Sequence, residues 1–247
     1  MTGQLTTGLI LTATVALASC VQWLTGMGFA LVSVPVLILL LGPVDGVVLA
    51  NCASGAICLV GLAGGWRHVR LPAMVPLCAA AACTVPAGTW LARHLPEPVL
   101  LAAMGALVTT AVVLVLRGTR VAALRGRAGA AAAGAAGGFM NSAAGVGGPP
   151  VSLYAVNAGW TVREFVPNAM FYGVLVNAVS VASNGLPHLS PPLWASSAAA
   201  MVTGALVGST LAGRIPEPRA RLLVLLLALA GGLTTLGKGV WGMAGRW

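Results

Sequence analysis

One stretch of this chain occurs twice. Residues 88–98 read Gly-Thr-Trp-Leu-Ala-Arg-His-Leu-Pro-Glu-Pro, and residues 208–218, which lie 120 positions later, read Gly-Ser-Thr-Leu-Ala-Gly-Arg-Ile-Pro-Glu-Pro. A unit that is duplicated over half of a chain restricts the fold to two copies of one substructure. The same alignment pairs His68 with His188, and at an offset of 119 it pairs Gln22 with Asn141. We therefore predict a first repeat at residues 1–120 and a second repeat at residues 121–247.

The repeated unit is strongly apolar. The chain has only 13 basic and 4 acidic residues out of 247, 58% of its residues are hydrophobic, and its mean hydropathy is +0.96. About a quarter of the residues of a soluble domain are charged. The apolar residues form stretches near the length that a helix needs to cross about 30 Å of hydrocarbon, and glycine and alanine are abundant, as in closely packed membrane helices. The sequence predicts an all-α, polytopic helical bundle in a lipid bilayer.

Each half contains five apolar segments. In the first half they cover residues 5–24, 27–41, 46–65, 71–92 and 98–117, and in the second half residues 128–144, 146–157, 166–184, 191–213 and 219–241. An odd number of segments brings the second copy into the membrane from the opposite side, which predicts inverted-topology repeats. The first two segments of each half either both span the membrane or form an interrupted, re-entrant pair.

The basic residues report the orientation of the chain. A net charge of +9 could suggest nucleic-acid binding, but the basic residues are scattered between apolar runs, so we expect no nucleic-acid partner. The predicted topology places ten of them on one side, namely Arg67, Arg70, Arg117, Arg120, Arg125, Arg127, Arg163, Arg214, Arg219 and Arg221, and three on the other, namely Arg93, Lys238 and Arg246. Positively charged loops stay in the cytoplasm. We predict an inner-membrane protein with both termini outside the cytoplasm.

Residues with catalytic or metal-binding chemistry are sparse. All four carboxylates (Asp45, Glu97, Glu164 and Glu217) and all three histidines (68, 94 and 188) fall in loops or at segment ends. The five cysteines lie in apolar runs without metal-ligand spacing, which favours buried core positions. A hydrolase that used Ser54 or Ser142 would lack a histidine at the same depth. We predict no catalytic residue, no metal and no cofactor.

Two local matches have structural explanations. Leu17-Ala18-Ser19-Cys20 has the form of a lipoprotein cleavage site, but residues 1–19 contain no basic residue, and signal peptides begin with one. We therefore expect no cleavage there. The Pro-Glu-Pro motifs at 96–98 and 216–218 are typical of a helix start, because proline tolerates the first turn and glutamate meets the positive end of the helix dipole.

The helical pattern is broken at matching places in the two halves. Thr25-Gly26-Met27-Gly28-Phe29 follows Gln22, and Ala144-Gly145-Val146-Gly147-Gly148-Pro149-Pro150 follows Asn141 and Ser142. Interrupted helices at corresponding positions of inverted halves indicate the binding site of a transporter, and the free N–H groups of a helix N-terminus favour an anion. The alternative is a tight crossing of helices through small residues.

Polar residues in the third segment of each half add to this candidate site. Asn51 and Ser54 correspond approximately to Asn168 and Tyr172, and Asn177 and Asn184 follow in the second half alone. An amide in lipid is costly without a partner, so these side chains should face inward, either towards a substrate or towards each other. We predict the following substrate-binding residues: Gln22, Gly26, Gly28, Asn51, Asn141, Ser142, Gly145, Gly147, Gly148 and Asn168.

The glycine-rich breaks, the Asn-bearing third segments and the duplication together resemble the sulfite exporter TauE/SafE family of membrane proteins, over about residues 5–241. The family pattern has a run of glycines in each break, to which Gly26, Gly28, Gly145, Gly147 and Gly148 correspond, whereas Phe29 departs from it. The resemblance implies transport of a small anion such as sulfite, thiosulfate or a sulfonate.

We predict export of a small anion by alternating access. Efflux of a negative charge from a negative cytoplasm is favourable by about 2.3 kcal/mol per 100 mV. It needs no coupling ion, which agrees with the lack of carboxylates inside the segments. Import of a similar anion and a membrane scaffold without transport activity remain as alternatives.

Overall fold

The described part of the chain folds into a bundle of ten α-helices. A computed structural model describes residues 2–26, 28–117, 124–211 and 217–244. The helices in these ranges are α1 Thr2–Thr25, α2 Phe29–Leu41, α3 Pro43–Ala63, α4 Leu71–His94, α5 Glu97–Leu116, α6 Gly126–Ala144, α7 Gly148–Asn157, α8 Val162–Asn184, α9 Pro191–Leu211 and α10 Glu217–Ala244. A single 3₁₀ turn at Trp66–His68 precedes α4.

The ten helices correspond one to one with the ten predicted segments, so the predicted all-α bundle is confirmed. By length and composition, six of the described helices can cross a membrane, namely α1, α3, α4, α5, α8 and α10. The second helix of each half is short, because α2 has 13 residues and α7 has 10. In each half, the first helix, the glycine break and the short second helix therefore form one interrupted segment.

Helix starts and ends follow local chemistry. As predicted for Pro-Glu-Pro, α5 begins at Glu97 directly after Pro96, and α10 begins at Glu217. Pro216 and Met27 lie outside the described residues. The helices before the two breaks, α1 and α6, are followed directly by Gly26 and Gly145, whose φ angles of 75° and 70° are disfavoured for residues with a side chain.

The fourth helix of each half packs beside the first helix of the other half, so that α4 packs against α6 and α9 against α1. The two helices of each pair run in the same direction. A Cβ built on Gly88 of α4 would lie 2.5 Å from the carbonyl oxygen of Phe139 in α6, and one built on Gly208 of α9 would lie 2.7 Å from that of Cys20 in α1. These two glycines are 120 positions apart, and their two partners are 119 positions apart. The contact of α4 with α6 at Gly88 is therefore repeated where α9 meets α1 at Gly208.

The third helices of the two halves, α3 and α8, pack against each other in antiparallel directions. Gly55 lies against Asn177, and Gly61, further along α3, lies against Met170, which is earlier in α8. The fifth helices behave in the same way, because Gly232 of α10 lies against Thr109 of α5, while Gly239 lies against Ala102. In both pairs, helices at equivalent positions of the two halves run in opposite directions.

Polar contacts define the two ends of the bundle. At one end, called the arginine end here, Arg70 before α4 forms an ion pair with Glu164 at the start of α8. At the other end, the Arg93 guanidinium donates to the carbonyl oxygen of Asn184 at 2.9 Å, and His188 lies 3.2 Å from Asp45. Of the basic residues in the predicted topology, Arg120, Arg214 and Arg246 lie outside the described residues.

Candidate functional site

The break in the first half is closed by Gln22. Its side-chain oxygen accepts hydrogen bonds from the N–H groups of Gly28 and Phe29, each at 2.8 Å, where α2 begins. Its amide nitrogen donates to the sulfur of Cys58 at 3.2 Å and to the carbonyl oxygen of Gly26 at 3.5 Å. Because Gln22 is buried, this arrangement satisfies the first donors of α2 inside the protein.

The break in the second half has the same backbone and a different side chain. The N–H group of Gly145 donates to the carbonyl oxygen of Asn141 at 2.8 Å, as that of Gly26 does to Gln22 at 2.8 Å. The amide nitrogen of Asn141, however, contacts side chains of α3 and α8. It lies 3.0 Å from both Asn177 Oδ1 and Ser180 Oγ and 3.3 Å from Asn51 Oδ1.

As a result, the N-terminus of α7 is not capped. Among the residues that the structure describes, none accepts a hydrogen bond from the N–H groups of Gly147 or Gly148. Pro149 and Pro150 come next and have no N–H group. The unpaired N–H groups at this helix end are therefore those of the two glycines, which lie at the positive end of the helix dipole.

Both glycines line an internal cavity of about 40 Å³ between α1, α2, α3, α6, α7 and α8. By volume it holds about three water molecules, or an oxyanion of about three or four heavy atoms. Among the described residues of its wall none is charged, and the polar side chains are those of Gln22, Ser54, Cys58, Asn141, Tyr172 and Asn177. Its other lining residues are Ala30, Leu31, Val146, Gly147, Gly148, Ala169, Gly173 and Val176.

Tyr172, which lines this cavity, carries an unused hydrogen-bond donor. Its side chain is 2% exposed, and its hydroxyl group has no hydrogen-bond partner among the described residues. A buried hydroxyl without a partner costs about 1 to 3 kcal/mol, so this position has a physical reason to receive an acceptor. A carboxylate-free wall with free N–H and O–H donors can compensate an anion for its lost hydration.

The structure brings together five of the predicted site residues. Gln22, Asn141, Gly147 and Gly148 line the cavity, and Asn51 lies behind Asn141, to whose carbonyl oxygen it donates at 3.5 Å. These residues belong to α1, α3 and the second break, which are distant in sequence. The predicted inward orientation of the third-segment amides therefore holds for Asn51 and Asn177, and the two share Asn141 as a hydrogen-bond partner.

The remaining five predicted residues do not line the cavity. Three are the glycines that shape the breaks, because Gly26 packs against Val166, Gly28 against Val21, and Gly145 against Val34. The hydroxyl group of Ser142 points to α4 and donates to the carbonyl oxygen of Val85 at 2.8 Å.

Asn168 lies near the arginine end. It accepts a hydrogen bond from the backbone N–H group of Arg70 at 2.8 Å and donates to the carbonyl oxygen of Glu164. Asn168 therefore fixes the loop before α4 to the first turns of α8. Asn184 is half-buried at the opposite end of α8 and donates to the carbonyl oxygen of Ser180 at 3.0 Å.

Cys58 was interpreted from the sequence only as a core residue, yet it lines the cavity. The helical spacing of Asn51, Ser54 and Cys58, with intervals of three and four residues, places them on one face of α3. On α8, Tyr172 and Asn177 line the same cavity. The spacing along α3 was the signal in the sequence that could have identified Cys58.

Gly147 also has a packing role. A Cβ at this position would lie 2.7 Å from the carbonyl oxygen of Gly137 and 2.8 Å from the Cβ of Asn141, both in α6. The close crossing of α6 and α7 therefore requires glycine here, as the packing interpretation of the breaks expects. The same residue lines the inner cavity, so close packing and a position at the cavity occur together.

Comparisons with known proteins agree with the resemblance. The family model described as Sulfite exporter TauE/SafE matches residues 11–235, which includes both breaks and both third helices. No curated protein and no solved structure matches the chain.

Proposed function

The chain belongs to the sulfite exporter TauE/SafE family of membrane transporters of sulfite and related anions, and we propose that it exports a small oxyanion that binds at the second break. The N–H groups of Gly147 and Gly148 and the hydroxyl group of Tyr172 are the proposed donors to the anion. Members of this family are transporters rather than enzymes, and the proposal involves no chemical conversion of the anion.

One observation carries this proposal, namely that three residues with unpaired donor groups line the same uncharged cavity. Two of these donors are the N–H groups at the start of α7, and the third is the Tyr172 hydroxyl group. Neutral donors at a helix N-terminus are suited to an anion, and the volume of about 40 Å³ favours an inorganic oxyanion over a longer sulfonate. Sulfite, which has four heavy atoms, is the substrate that fits these conditions best.

Alternating access is supported by the arrangement of the helices. Equivalent helices of the two halves are antiparallel in the pairs α3 with α8 and α5 with α10, as two repeats of opposite orientation require. The contacts of α4 with α6 recur between α9 and α1. The proposed site lies between the two halves, where rocking of one half against the other would open it to either side in turn.

The proposed direction is outward. We place the arginine end in the cytoplasm, because loops with many arginines remain there, and both termini then lie outside. An anion that leaves a cytoplasm with a negative potential gains about 2.3 kcal/mol per charge for each 100 mV. No carboxylate lines the cavity to couple a proton or a sodium ion.

A flux assay tests the proposed function. The full-length protein is reconstituted into liposomes that are loaded with radiolabelled sulfite, and a potassium gradient with valinomycin sets the membrane potential. We expect efflux to be faster when the interior is negative and to fall at least about tenfold in Tyr172→Phe at low sulfite concentration. Efflux that is equal to that of protein-free liposomes would support a scaffold, and efflux that is insensitive to the potential would contradict uncoupled export.

A further inference from the structure

A second, larger cavity lies at the arginine end of the bundle. It has a volume of about 490 Å³ and lies between α1, α3 and α8. Trp23, Gly65 and Pro167 form part of its wall, and two basic side chains, those of His68 and Arg163, line it as well. Both basic residues are exposed. This outer cavity thus differs from the inner one in size, in charge and in its access to solvent.

Arg163 differs from its basic neighbours. Arg70 is paired with Glu164, and the Arg67 guanidinium lies over the ring of Trp66, 5.5 Å from its centre. Within the part of the chain that the structure describes, no carboxylate forms an ion pair with Arg163. Its charge is therefore available to the outer cavity, whereas the charge of Arg70 is balanced by that of Glu164.

The outer cavity is continuous with the seam between α3 and α8 that leads to the inner one. At the arginine end of this seam, Gly65 lies against Pro167. About one helical turn closer to the inner cavity, Gly61 lies against Met170. Both Gly61 and Met170 line the outer cavity. One helical turn further, Cys58 lies against Gly173, and both of these residues line the inner cavity.

We propose that Arg163 and His68 form an outer anion site, separate from the inner cavity, which concentrates a small oxyanion at the mouth of the α3–α8 seam. Positive side chains in a cleft with low-dielectric walls raise the local concentration of anions and the rate of association. Met170, which is buried against Gly61, separates the two sites. The identity of the anion rests on the proposed function, whereas the existence of the site rests on the outer cavity alone.

Transport kinetics provide the first test. Initial rates of sulfite efflux are measured in proteoliposomes over a range of internal sulfite concentrations, at low and high ionic strength, for Arg163→Gln and for Arg67→Gln. Both variants lose one positive charge at the arginine end, so Arg67→Gln is the matched control. We expect Arg163→Gln to raise KM about fivefold at low ionic strength with kcat unchanged, and to lose most of the salt dependence of KM.

The result that overturns the outer site in this assay is an equal KM for Arg163→Gln and Arg67→Gln at both ionic strengths. His68→Gln provides a second variant, for which we expect a smaller rise in KM, of about twofold. Because the side chains of Arg163 and His68 are exposed, neither Arg163→Gln nor His68→Gln removes a buried side chain.

A binding measurement keeps this test independent of transport. Iodide quenches tryptophan fluorescence by collision, and Trp23 lines the outer cavity. The contribution of Trp23 is obtained by subtracting the signal of Trp23→Phe from that of the purified full-length protein. We expect Arg163→Gln to reduce quenching of Trp23 by iodide at least twofold and to leave quenching by neutral acrylamide unchanged.

The two measurements separate the possible failures. Quenching that depends on Arg163, in a protein without sulfite flux, would support the outer anion site and reject the proposed function. Iodide quenching of Trp23 that is the same in Arg163→Gln and in Arg67→Gln would overturn the outer site, whatever the flux assay gives.

Discussion

The two breaks share one backbone and differ in the reach of a single side chain. In each break the first glycine has a positive φ angle and donates to the carbonyl oxygen of the polar residue four positions earlier. Gln22 is one methylene longer than Asn141, and its side-chain oxygen caps the short helix that follows. Asn141 leaves the corresponding helix uncapped and bonds to α3 and α8 instead.

This difference shows how a duplicated architecture can become specialised. The first break supports structure, since its helix donors are used within the protein. In the second break the same geometry leaves donors free beside a cavity. The helix end after Gln22 is capped and the one after Asn141 is not, and the proposed function assigns the uncapped end to the anion.

The largest effect is expected for Asn141→Gln, which gives the second break the side chain of the first. The longer amide should reach the N–H groups of Gly147 and Gly148 and compete with the anion, so we expect at least about a hundredfold loss of sulfite affinity. Isothermal titration calorimetry on the purified protein measures this change. Asn184→Gln makes the same chemical change outside the cavity, and wild-type affinity in Asn141→Gln would contradict the proposed role of the second break.

A smaller loss of affinity is expected for Tyr172→Phe, which removes the hydroxyl group that has no partner. Because this group makes no hydrogen bond within the described part of the protein, the unfolding temperature should not fall. A hydrogen bond to a charged group contributes about 1.5 to 3 kcal/mol, so sulfite affinity should fall at least about tenfold. Tyr154→Phe, at a buried position outside the cavity lining, is the control and should bind normally.

An effect on stability is expected for Gln22→Asn, the reciprocal change at the first break. The shorter amide should no longer reach Gly28 and Phe29, and the loss of a helix cap costs about 1 kcal/mol. Thermal unfolding, monitored by tryptophan fluorescence in detergent, measures the loss. An unchanged unfolding temperature would show that the two hydrogen bonds of Gln22 are not what stabilises the first break.

The smallest effect is expected for Ser142→Ala. This hydroxyl group donates to Val85 and Gly138 in the interface of α4 and α6 and does not line the cavity. We expect sulfite affinity to stay within about twofold and stability to fall by at most about 1 kcal/mol. A tenfold loss of affinity in the same calorimetric assay would restore Ser142 to the site and weaken the distinction between the residues that line the cavity and those that pack beside it.

Much of the fold follows from the sequence, because apolar length, proline and glycine act locally. The ten segments and the Pro-Glu-Pro starts were predicted in this way, and the offset of 120 that pairs Gly88 with Gly208 recurs in the contacts of those two residues. The breaks were also located correctly, since a change from helix to glycine is visible without tertiary structure.

The composition of the site was less predictable. Asn168 and Ser142 are polar residues in apolar segments, just as Asn141 is, and only tertiary contacts direct them to Arg70 and Val85. The difference between capped and free donors depends on side-chain reach across a turn, which an alignment of Gln22 with Asn141 does not express. The unpaired hydroxyl group of Tyr172 was equally unpredictable, because whether it has a partner depends on how α6 and α7 pack beside it.

The most direct test of the central claim is an experimental structure of the full-length protein with bound selenite, a heavier analogue of sulfite that is located by its anomalous scattering. The account predicts a selenium peak in the inner cavity, with selenite oxygens within hydrogen-bond distance of the N–H groups of Gly147 and Gly148 and of the Tyr172 hydroxyl group. A peak at Gly28, with the inner cavity at the second break empty, would contradict it.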